Sequence, residues 1–395
     1  MSSVPQISSQ NKDVTTLVNT AQMVKYLPNE AVYECSKHIN KLSDLHALSL
    51  ASKHFFVTIF NNTFPAWATL LTSHFPSSFP MNPPQPKELP LYRNLKIVDN
   101  HMRRGTHQLR TLNGHQNAVM SLTVQDGMLF SSSRDKTIKI WNIETGKELH
   151  TLAGHQGAIY CLVETEGLLF SSSYDSTIKI WDIATRTELQ TINGHQDWVS
   201  CLAVHDGMLF SGSWDHTIKV WDIATGTELL TLNGHQRGIS CLTIQDGILF
   251  SSSDNTIKVW DINNGTMLPS FKGHQDIVKC LAVKDGMLIS GSCDQTIKIW
   301  DIAKGIELHT LNGHQAWPTC LTTKNGILFS GSRDGTIKIW DIAKGIELHT
   351  LKGHQGAVEC LTVKDGILFS GSDDNTIQVW DFNPIINASP ANSTS

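Results

Sequence analysis

The stretch GHQNAVMSLTVQDGMLFSSSRDKTIKIW, residues 114–141, recurs with small changes along most of this 395-residue chain. Its Gly-His pair returns at spacings of 40, 40, 40, 39, 40 and 40 residues. The histidines of these pairs are His115, His155, His195, His235, His274, His314 and His354. A tryptophan follows each pair, the first being Trp141. A period of this length is typical of repeat architectures, so the chain contains seven copies of one structural unit.

Within one unit the apolar residues alternate with a period close to two, which favours β-strands. Strands are predicted over residues 118–124, 128–133, 137–141 and 148–152, with a tight turn at Asp126-Gly127. Glycine suits this turn because it adopts a positive φ at little cost. Each unit is therefore predicted to be a four-stranded antiparallel sheet. Such a sheet cannot bury both of its faces alone, so seven units are expected to stack into a closed ring.

Closure of the ring needs a strand from the other end of the repeat region. The last unit ends after Trp380-Asp-Phe382 without a fourth strand, whereas residues 108–112 precede the first Gly-His as a strand without a unit. We therefore expect the N-terminal strand to complete the last blade.

These motifs resemble the WD-repeat family over residues 107–382. The resemblance implies a hydrogen-bond network in each blade, formed by the Gly-His histidine, a serine, the turn aspartate and the tryptophan. In blade 1 it would use His115, a serine of the 131–133 triplet, Asp135 and Trp141; in blade 3 it would use His195, Asp215 and Trp221. Because these histidines and aspartates occur once per blade, we expect them to be structural and predict no metal site and no cofactor.

Two units depart from the pattern. Blade 1 has Trp141-Asn142 where the others have Trp-Asp, and little effect is expected. Blade 4 is one residue short, so the position before its turn aspartate is either missing or filled by Ser253.

Positions that differ between the repeats are free of the demands of the fold and can encode recognition. In the WD-repeat family, the residue before the turn aspartate and two residues at the start of the first strand project from one face. The resulting candidate target-binding residues are Arg134, Tyr160, Tyr174, Trp198, Trp214, Lys279, Trp317 and Arg333. Tyr160, Tyr174, Trp198 and Trp214 form an aromatic cluster typical of an interaction site. The alternative is that some of them only pack against neighbouring loops.

The positive charges on this face predict little affinity for phosphopeptides. Arg134 and Arg333 belong to blades two apart, and Glu359 and Asp373 lie between them, so the positive charge is expected to be diluted. We therefore expect a peptide ligand anchored by an apolar or aromatic residue.

The N-terminal region indicates a second, all-α domain. Residues 1–20 are polar and expected to be disordered, and residues 21–75 are predicted to form short helices. The order Leu-Pro-x-Glu from Leu27, a helix, Asp-Leu at Leu45 and then Leu-x-Leu-Ala-Ser-Lys resembles the F-box, which docks onto a Skp-type adaptor. The resemblance assigns the adaptor contact to Leu27, Pro28, Leu42, Leu45 and Leu48. A small helical cap without a partner is the alternative.

Residues 76–106 contain a proline-rich stretch and a segment similar to the helical linker of F-box/WD proteins, and residues 383–395 are expected to be a disordered tail. The predicted fold class is thus mainly β: a seven-bladed WD-repeat β-propeller with a small N-terminal all-α, F-box-like domain and a helical linker.

Composition narrows the possible partners. A formal net charge of −5 at pH 7 gives no basic field for nucleic acid and no polybasic membrane anchor. No segment approaches the roughly 18 apolar residues of a membrane span, and the N-terminus lacks a signal-peptide pattern. Six of the eight cysteines recur at one position of the repeat, which favours buried free thiols over disulfides. A cytoplasmic or nuclear location in a eukaryotic cell is expected, reached by delivery if the source is an intracellular bacterium.

The resemblance implies a non-catalytic substrate-recognition subunit of a cullin/SCF-type ubiquitin ligase. Its F-box would bind a Skp-type adaptor, and through it a cullin, while the propeller face binds an unknown target protein. The alternative is a WD-repeat scaffold without a ligase partner. No phosphate-binding glycine loop, nucleophile elbow or zinc spacing supports an enzyme.

Overall fold

The computed structural model describes residues 108–382. Every regular element in this range is a β-strand, and the strands form seven four-stranded antiparallel sheets. Within the described range, no helix is long and apolar enough to cross a membrane. The predicted seven-bladed β-propeller is confirmed.

Each blade contributes one strand to each of four positions, from the inside of the ring outwards. The innermost strands are β2 (Val119–Gln125), β6 (Ile159–Thr165), β10 (Val199–His205), β14 (Cys241–Gln245), β18 (Val278–Lys284), β22 (Pro318–Lys324) and β26 (Val358–Lys364). The second strands are β3 (Met128–Ser133), β7 (Leu168–Ser173), β11 (Met208–Ser213), β15 (Ile248–Ser252), β19 (Met287–Ser292), β23 (Ile327–Ser332) and β27 (Ile367–Ser372).

The third strands are β4 (Thr137–Asn142), β8 (Ile178–Asp182), β12 (Ile218–Asp222), β16 (Thr256–Asp261), β20 (Ile297–Asp301), β24 (Thr336–Asp341) and β28 (Thr376–Asp381). The outer strands are β5 (Glu148–Ala153), β9 (Thr187–Ile192), β13 (Glu228–Leu232), β17 (Thr266–Lys272), β21 (Ile306–Leu311), β25 (Ile346–Lys352) and, for blade 7, β1 (Gln108–Asn113). Blades 1 to 7 are numbered in the chain order of their innermost strands.

The Asp-Gly turns join the first two strands of a blade as predicted. In blade 1, Gln125 pairs with Met128, and the two residues between them, Asp126 and Gly127, have φ angles of 48° and 75°. Two positive φ angles define the type I′ turn, whose twist matches that of the flanking strands.

The hydrophobic core lies between the blades. The innermost strand of each blade contacts the innermost strands of both neighbours, including β2 with β26 across the closure. Between blades 1 and 2, for example, Phe130 and Ile140 pack against Leu169 and Trp181, and all four are at most 3% exposed. The repeat positions that are always apolar therefore hold neighbouring blades together.

The ring closes through β1, which pairs antiparallel with β28 from Gln108↔Trp380 to Asn113↔Thr376. The side chain of Leu112 enters the core between blades 7 and 1, beside Val119 and Phe369. The predicted closure by the N-terminal strand is confirmed.

The other predicted segments, residues 1–20, 21–75, 76–106 and 383–395, lie outside the described residues. The proposed adaptor contacts Leu27, Pro28, Leu42, Leu45 and Leu48 are among them, and they remain predictions.

Candidate binding face

A buried hydrogen-bond network connects the strands of each blade at one end of the propeller. In blade 1, Nδ1 of His115 lies 2.8 Å from Oδ2 of Asp135, and Nε2 lies 2.8 Å from Oγ of Ser131. The indole Nε1 of Trp141 donates to the same serine oxygen at 2.8 Å. Of the serine triplet, Ser131 is thus the residue that joins the histidine to the tryptophan. Ser133 binds the carbonyl of Asn117 instead.

The donors and acceptors fix the histidine tautomer. The Asp135 carboxylate can only accept, so the nitrogen facing it must donate. Ser131 accepts from the indole N–H of Trp141, and its own hydroxyl lies closer to Nε2 of His115, at 2.8 Å, than to the carbonyl of Lys139, at 3.4 Å. His115 then carries its proton on Nδ1 and donates it to Asp135, which also accepts from the backbone N–H of Gln116 at 2.9 Å. One carboxylate oxygen therefore receives two donors at the turn.

The same carboxylate arrangement recurs in every blade except blade 4. In those six blades the Nδ1 to Oδ2 distance is 2.7–2.9 Å, and the N–H of the following glutamine lies 2.8–3.0 Å from the same oxygen. Burial raises the pKa of Asp135, but hydrogen bonds from His115, Thr137 and Gln116 outweigh it and hold this pKa well below its usual range. The turn aspartates are structural anions rather than general bases.

Blade 4 breaks the pattern because the residue before its turn aspartate is missing. Ser253 is 2% exposed and binds the carbonyl of Arg237, which is the role of Ser133 in blade 1. The carboxylate of Asp254 is hydrogen-bonded only to Thr256, and Nδ1 of His235 is buried without a partner. Of the two possibilities left by the sequence, the structure therefore has the position missing.

Of the aromatic residues predicted for the face, Trp198 contacts three others. The ring of Trp198 lies 5.1 Å from that of Tyr160, 5.1 Å from that of Tyr174 and 4.5 Å from that of Trp214, measured between centroids. Tyr174 is 58% exposed and Trp214 43% exposed, whereas Tyr160 and Trp198 are half-buried. These four residues, here called the aromatic cluster, present exposed rings already held in place by their neighbours.

Gly238 of blade 4 lies directly against the indole ring of Trp214. A Cβ atom added at this glycine would lie 2.7 Å from Cγ and Cδ2 of Trp214, so no side chain fits there while the indole holds its position. The glycine is needed for a close approach, which the sequence did not reveal because neighbouring repeats carry different residues at this position.

The charged candidates Lys279, Arg333 and Arg134 belong to blades 5, 6 and 1, and blade 7 between the last two carries Glu359 and Asp373. Burial and the neighbouring Asp373 carboxylate raise the pKa of Glu359, although the charges of Arg134, Arg333 and Lys279 oppose the shift. Arg134 also lies 3.8 Å from the carboxylate of Asp373. The three cationic side chains thus act on one carboxylate instead of being isolated around the ring, and two acidic groups compensate much of their charge.

Trp317 is separate from the aromatic cluster. The guanidinium carbon of Arg333 lies 5.0 Å from the centroid of its ring, which is a cation–π distance. Trp317 therefore positions a charged residue rather than extending the aromatic cluster.

The cysteines of the repeat lie on the innermost strands and are free. Burial raises the pKa of Cys161 to about 12 and that of Cys241 to about 11, so their thiols stay protonated and unreactive. Among residues 108–382, no group of three or more His, Cys, Asp or Glu side chains is arranged to hold a metal ion.

The ring of seven sheets and the repeated histidine–serine–tryptophan network define the chain's class, a seven-bladed β-propeller. The model of the family "WD domain, G-beta repeat" matches residues 106–142, 146–182, 186–222, 226–261, 265–301, 305–341 and 345–381. Because these matches cover more than half of the chain, the protein belongs to the WD-repeat family.

Two fungal relatives match shorter stretches. The "Probable E3 ubiquitin ligase complex SCF subunit sconB" of Emericella nidulans is 41% identical over 59 residues, which is 15% of this chain and 9% of that protein. The "Probable E3 ubiquitin ligase complex SCF subunit scon-2" of Neurospora crassa is 42% identical over 55 residues, or 14% and 8%. The matched stretches thus span less than a tenth of these curated relatives.

Two solved structures share the fold. The computationally designed Ika8 protein has a TM-score of 0.59 and 36% identity, covering 70% of this chain and 99% of the designed chain. The structure of U3-55K has a TM-score of 0.64 and 24% identity, covering 69% and 98%. At 24% identity, the similarity to U3-55K concerns the fold alone.

Proposed function

We propose that this protein is the non-catalytic substrate-recognition subunit of a cullin/SCF-type ubiquitin ligase, acting in the cytoplasm or nucleus of a eukaryotic cell. The F-box-like segment around Leu27, Pro28, Leu42, Leu45 and Leu48 binds a Skp-type adaptor and through it the cullin. The propeller face binds the target and holds it in range of ubiquitin transfer. The protein contributes proximity and orientation and carries out no chemistry itself.

Three observations support this proposal. WD-repeat family membership supports protein recognition, and the names of the fungal relatives, which match over short stretches, support an association with SCF ligases. The observation that carries target binding is the aromatic cluster, because exposed tryptophan and tyrosine rings held by packing bind a partner at little entropic cost.

The adaptor half of the proposal is tested by co-purifying the full chain with a Skp-type adaptor. The wild type is expected to retain the adaptor, and the double variant Leu27→Asp/Leu45→Asp is expected to lose it, because the substitutions put charge into an apolar contact. Retention of the adaptor by neither protein would favour the alternative, a WD-repeat scaffold without a ligase partner.

The target half is tested by comparing the proteins captured by the wild type with those captured by Trp198→Ala/Trp214→Ala. The variant is expected to lose the target, because truncating two hot-spot aromatics removes the anchor. Leu189→Ala/Leu229→Ala is a matched control, since these leucines are 57% and 53% exposed on outer strands away from the face. Equal capture by the tryptophan variant and the wild type would show that the target binds elsewhere.

A further inference from the structure

We propose that the target binds as an extended peptide that leaves the aromatic cluster across blade 4, where one of its main-chain carbonyls accepts a hydrogen bond from the N–H of Gln236. This inference rests on the proposed function and specifies the form of the ligand and its path.

The missing residue opens a gap in the ring of residues that precede the turn aspartates. Trp214 of blade 3 and Cys293 of blade 5 occupy this position on the two sides, and blade 4 has no equivalent, since Ser253 is buried in the strand-end position. A chain that rests on Trp214 therefore meets no projecting side chain at this position as it crosses blade 4.

The same deletion frees a main-chain donor. In the other six blades, the N–H after the Gly-His pair donates to the turn aspartate at 2.8–3.0 Å. Among the hydrogen bonds of residues 108–382, the N–H of Gln236 has no such acceptor. Gln236 is exposed, and the adjacent His235 also lacks its acceptor at Nδ1. The other blades thus show that an acceptor oxygen fits this position.

The charges around the free N–H of blade 4 are of both signs, which suits a neutral acceptor. The Asp254 carboxylate has moved out of hydrogen-bond reach of His235, yet it remains near enough for the two charges to interact. Asp254 would repel an incoming carboxylate or phosphate, whereas Lys258, whose charge also acts on His235, and the neighbouring Arg237 would attract it. A peptide carbonyl carries no net charge and is a strong acceptor, so it can accept from Gln236 without depending on either sign of charge.

The aromatic cluster and the free donor belong to one continuous surface. Trp214 packs on Gly238, which is two residues after Gln236 in the same loop. A peptide can therefore place an apolar side chain against Trp198 and Trp214 and a nearby main-chain carbonyl at Gln236. Such pairing of a side-chain anchor with main-chain hydrogen bonds is how extended peptides are commonly bound.

The test uses a phage-displayed library of random 12-residue peptides, selected on the full chain and counter-selected on Trp198→Ala/Trp214→Ala. One selected peptide is synthesised, and its affinity is measured for the wild type and for a variant with an alanine inserted between Ser253 and Asp254. The insertion restores the repeat length and returns Asp254 to His235 and Gln236. We expect the insertion variant to bind the peptide with a Kd at least tenfold higher than that of the wild type. Its thermal unfolding midpoint should be no lower than that of the wild type.

Asn142→Asp is the matched control, since it also restores the repeat consensus but lies at the far end of a strand, where Asn142 Oδ1 already accepts from the N–H of Thr145. It should bind like the wild type. If the insertion variant does not fold, Gln236→Pro removes the same donor and should weaken binding likewise.

Unchanged affinity in either folded variant would overturn the path across blade 4 while leaving the aromatic anchor in place. A library that yields no peptide dependent on Trp198 and Trp214 would instead reject the peptide-binding cluster itself.

Discussion

The turn carboxylates can be compared within one molecule, because blade 4 lacks the contacts that the other blades have. Asp135 accepts from His115, Gln116 and Thr137 at 2.6–2.9 Å, whereas the Asp254 carboxylate accepts only from Thr256. Asp135→Ala should lower the free energy of unfolding by about 2–4 kcal/mol, since it leaves Nδ1 of His115 buried without an acceptor. Asp254→Ala should cost about 1–2 kcal/mol.

Urea denaturation of the two variants and the wild type provides this measurement. Equal losses for Asp135→Ala and Asp254→Ala would mean that the bond to histidine adds no stability beyond the bonds to threonine. Asp175→Ala in blade 2 should behave like Asp135→Ala, because its histidine contact has the same geometry.

The sequence reveals the role of a residue when the same residue type recurs at that position in every repeat. The recurring histidine, aspartate and tryptophan stand out because every blade has them. The particular serine did not, because Ser131, Ser132 and Ser133 are adjacent and only the structure shows which one faces His115 and Trp141. The action of three cations on Glu359 was also missed, because it depends on distances across the ring and not on chain order.

Among the elements, the strands followed from the period of the apolar residues. The closing strand β1 followed from the strand left over before the first unit and the strand missing from the last one. The effect of the single deleted residue on strand length in blade 4 did not follow from the sequence. In blade 4, β14 and β15 are five residues each, whereas β2 and β3 of blade 1 have seven and six. The length of a strand depends on where its hydrogen-bond pairing with the next strand stops. Comparing the repeats in the sequence shows only that blade 4 has one residue fewer.

Blade 4 also lacks an ion pair that joins the third strand to the outer strand in blades 1, 2, 3, 5 and 6. In blade 1, the ammonium group of Lys139 lies 2.9 Å from both carboxylate oxygens of Glu148. The equivalent Lys258 instead meets the thioether of Met267 at 3.8 Å. Two departures from the repeat thus coincide in blade 4, the loss of the aspartate–histidine bond and the loss of this ion pair.

For the whole propeller, these contacts make stability depend on pH in two stages. Burial, reinforced by the charge of Lys258, lowers the pKa of His235 to about 4 despite the opposing charge of Asp254. The unfolded chain binds this proton near pH 6.5, so the unfolded state is favoured as the pH falls from about 6.5 to 4. The loss between pH 7 and pH 5 should be roughly 2 kcal/mol.

The second stage lies at lower pH and comes from the turn aspartates of the other six blades. Hydrogen bonds from threonine, glutamine and histidine overcome the effect of burial and lower the pKa of Asp294 to about 2, and those of Asp135, Asp175, Asp215, Asp334 and Asp374 lie well below their usual range. Unfolded aspartates bind protons near pH 4, so stability falls further as the pH drops below about 4.

Thermal unfolding of the full chain at pH 7, 5 and 3 separates the two stages. Replacing His235 with asparagine should reduce the change between pH 7 and 5, leaving the smaller part that comes from His274, whose pKa burial also lowers. The fall below pH 4 should stay in place, because the six aspartates are untouched. The alanine insertion should have the same selective effect, since it gives His235 an aspartate that accepts its proton and offsets the cost of charging the ring. A wild-type midpoint that stays constant from pH 7 to 5 would contradict the assignment of the first stage to His235.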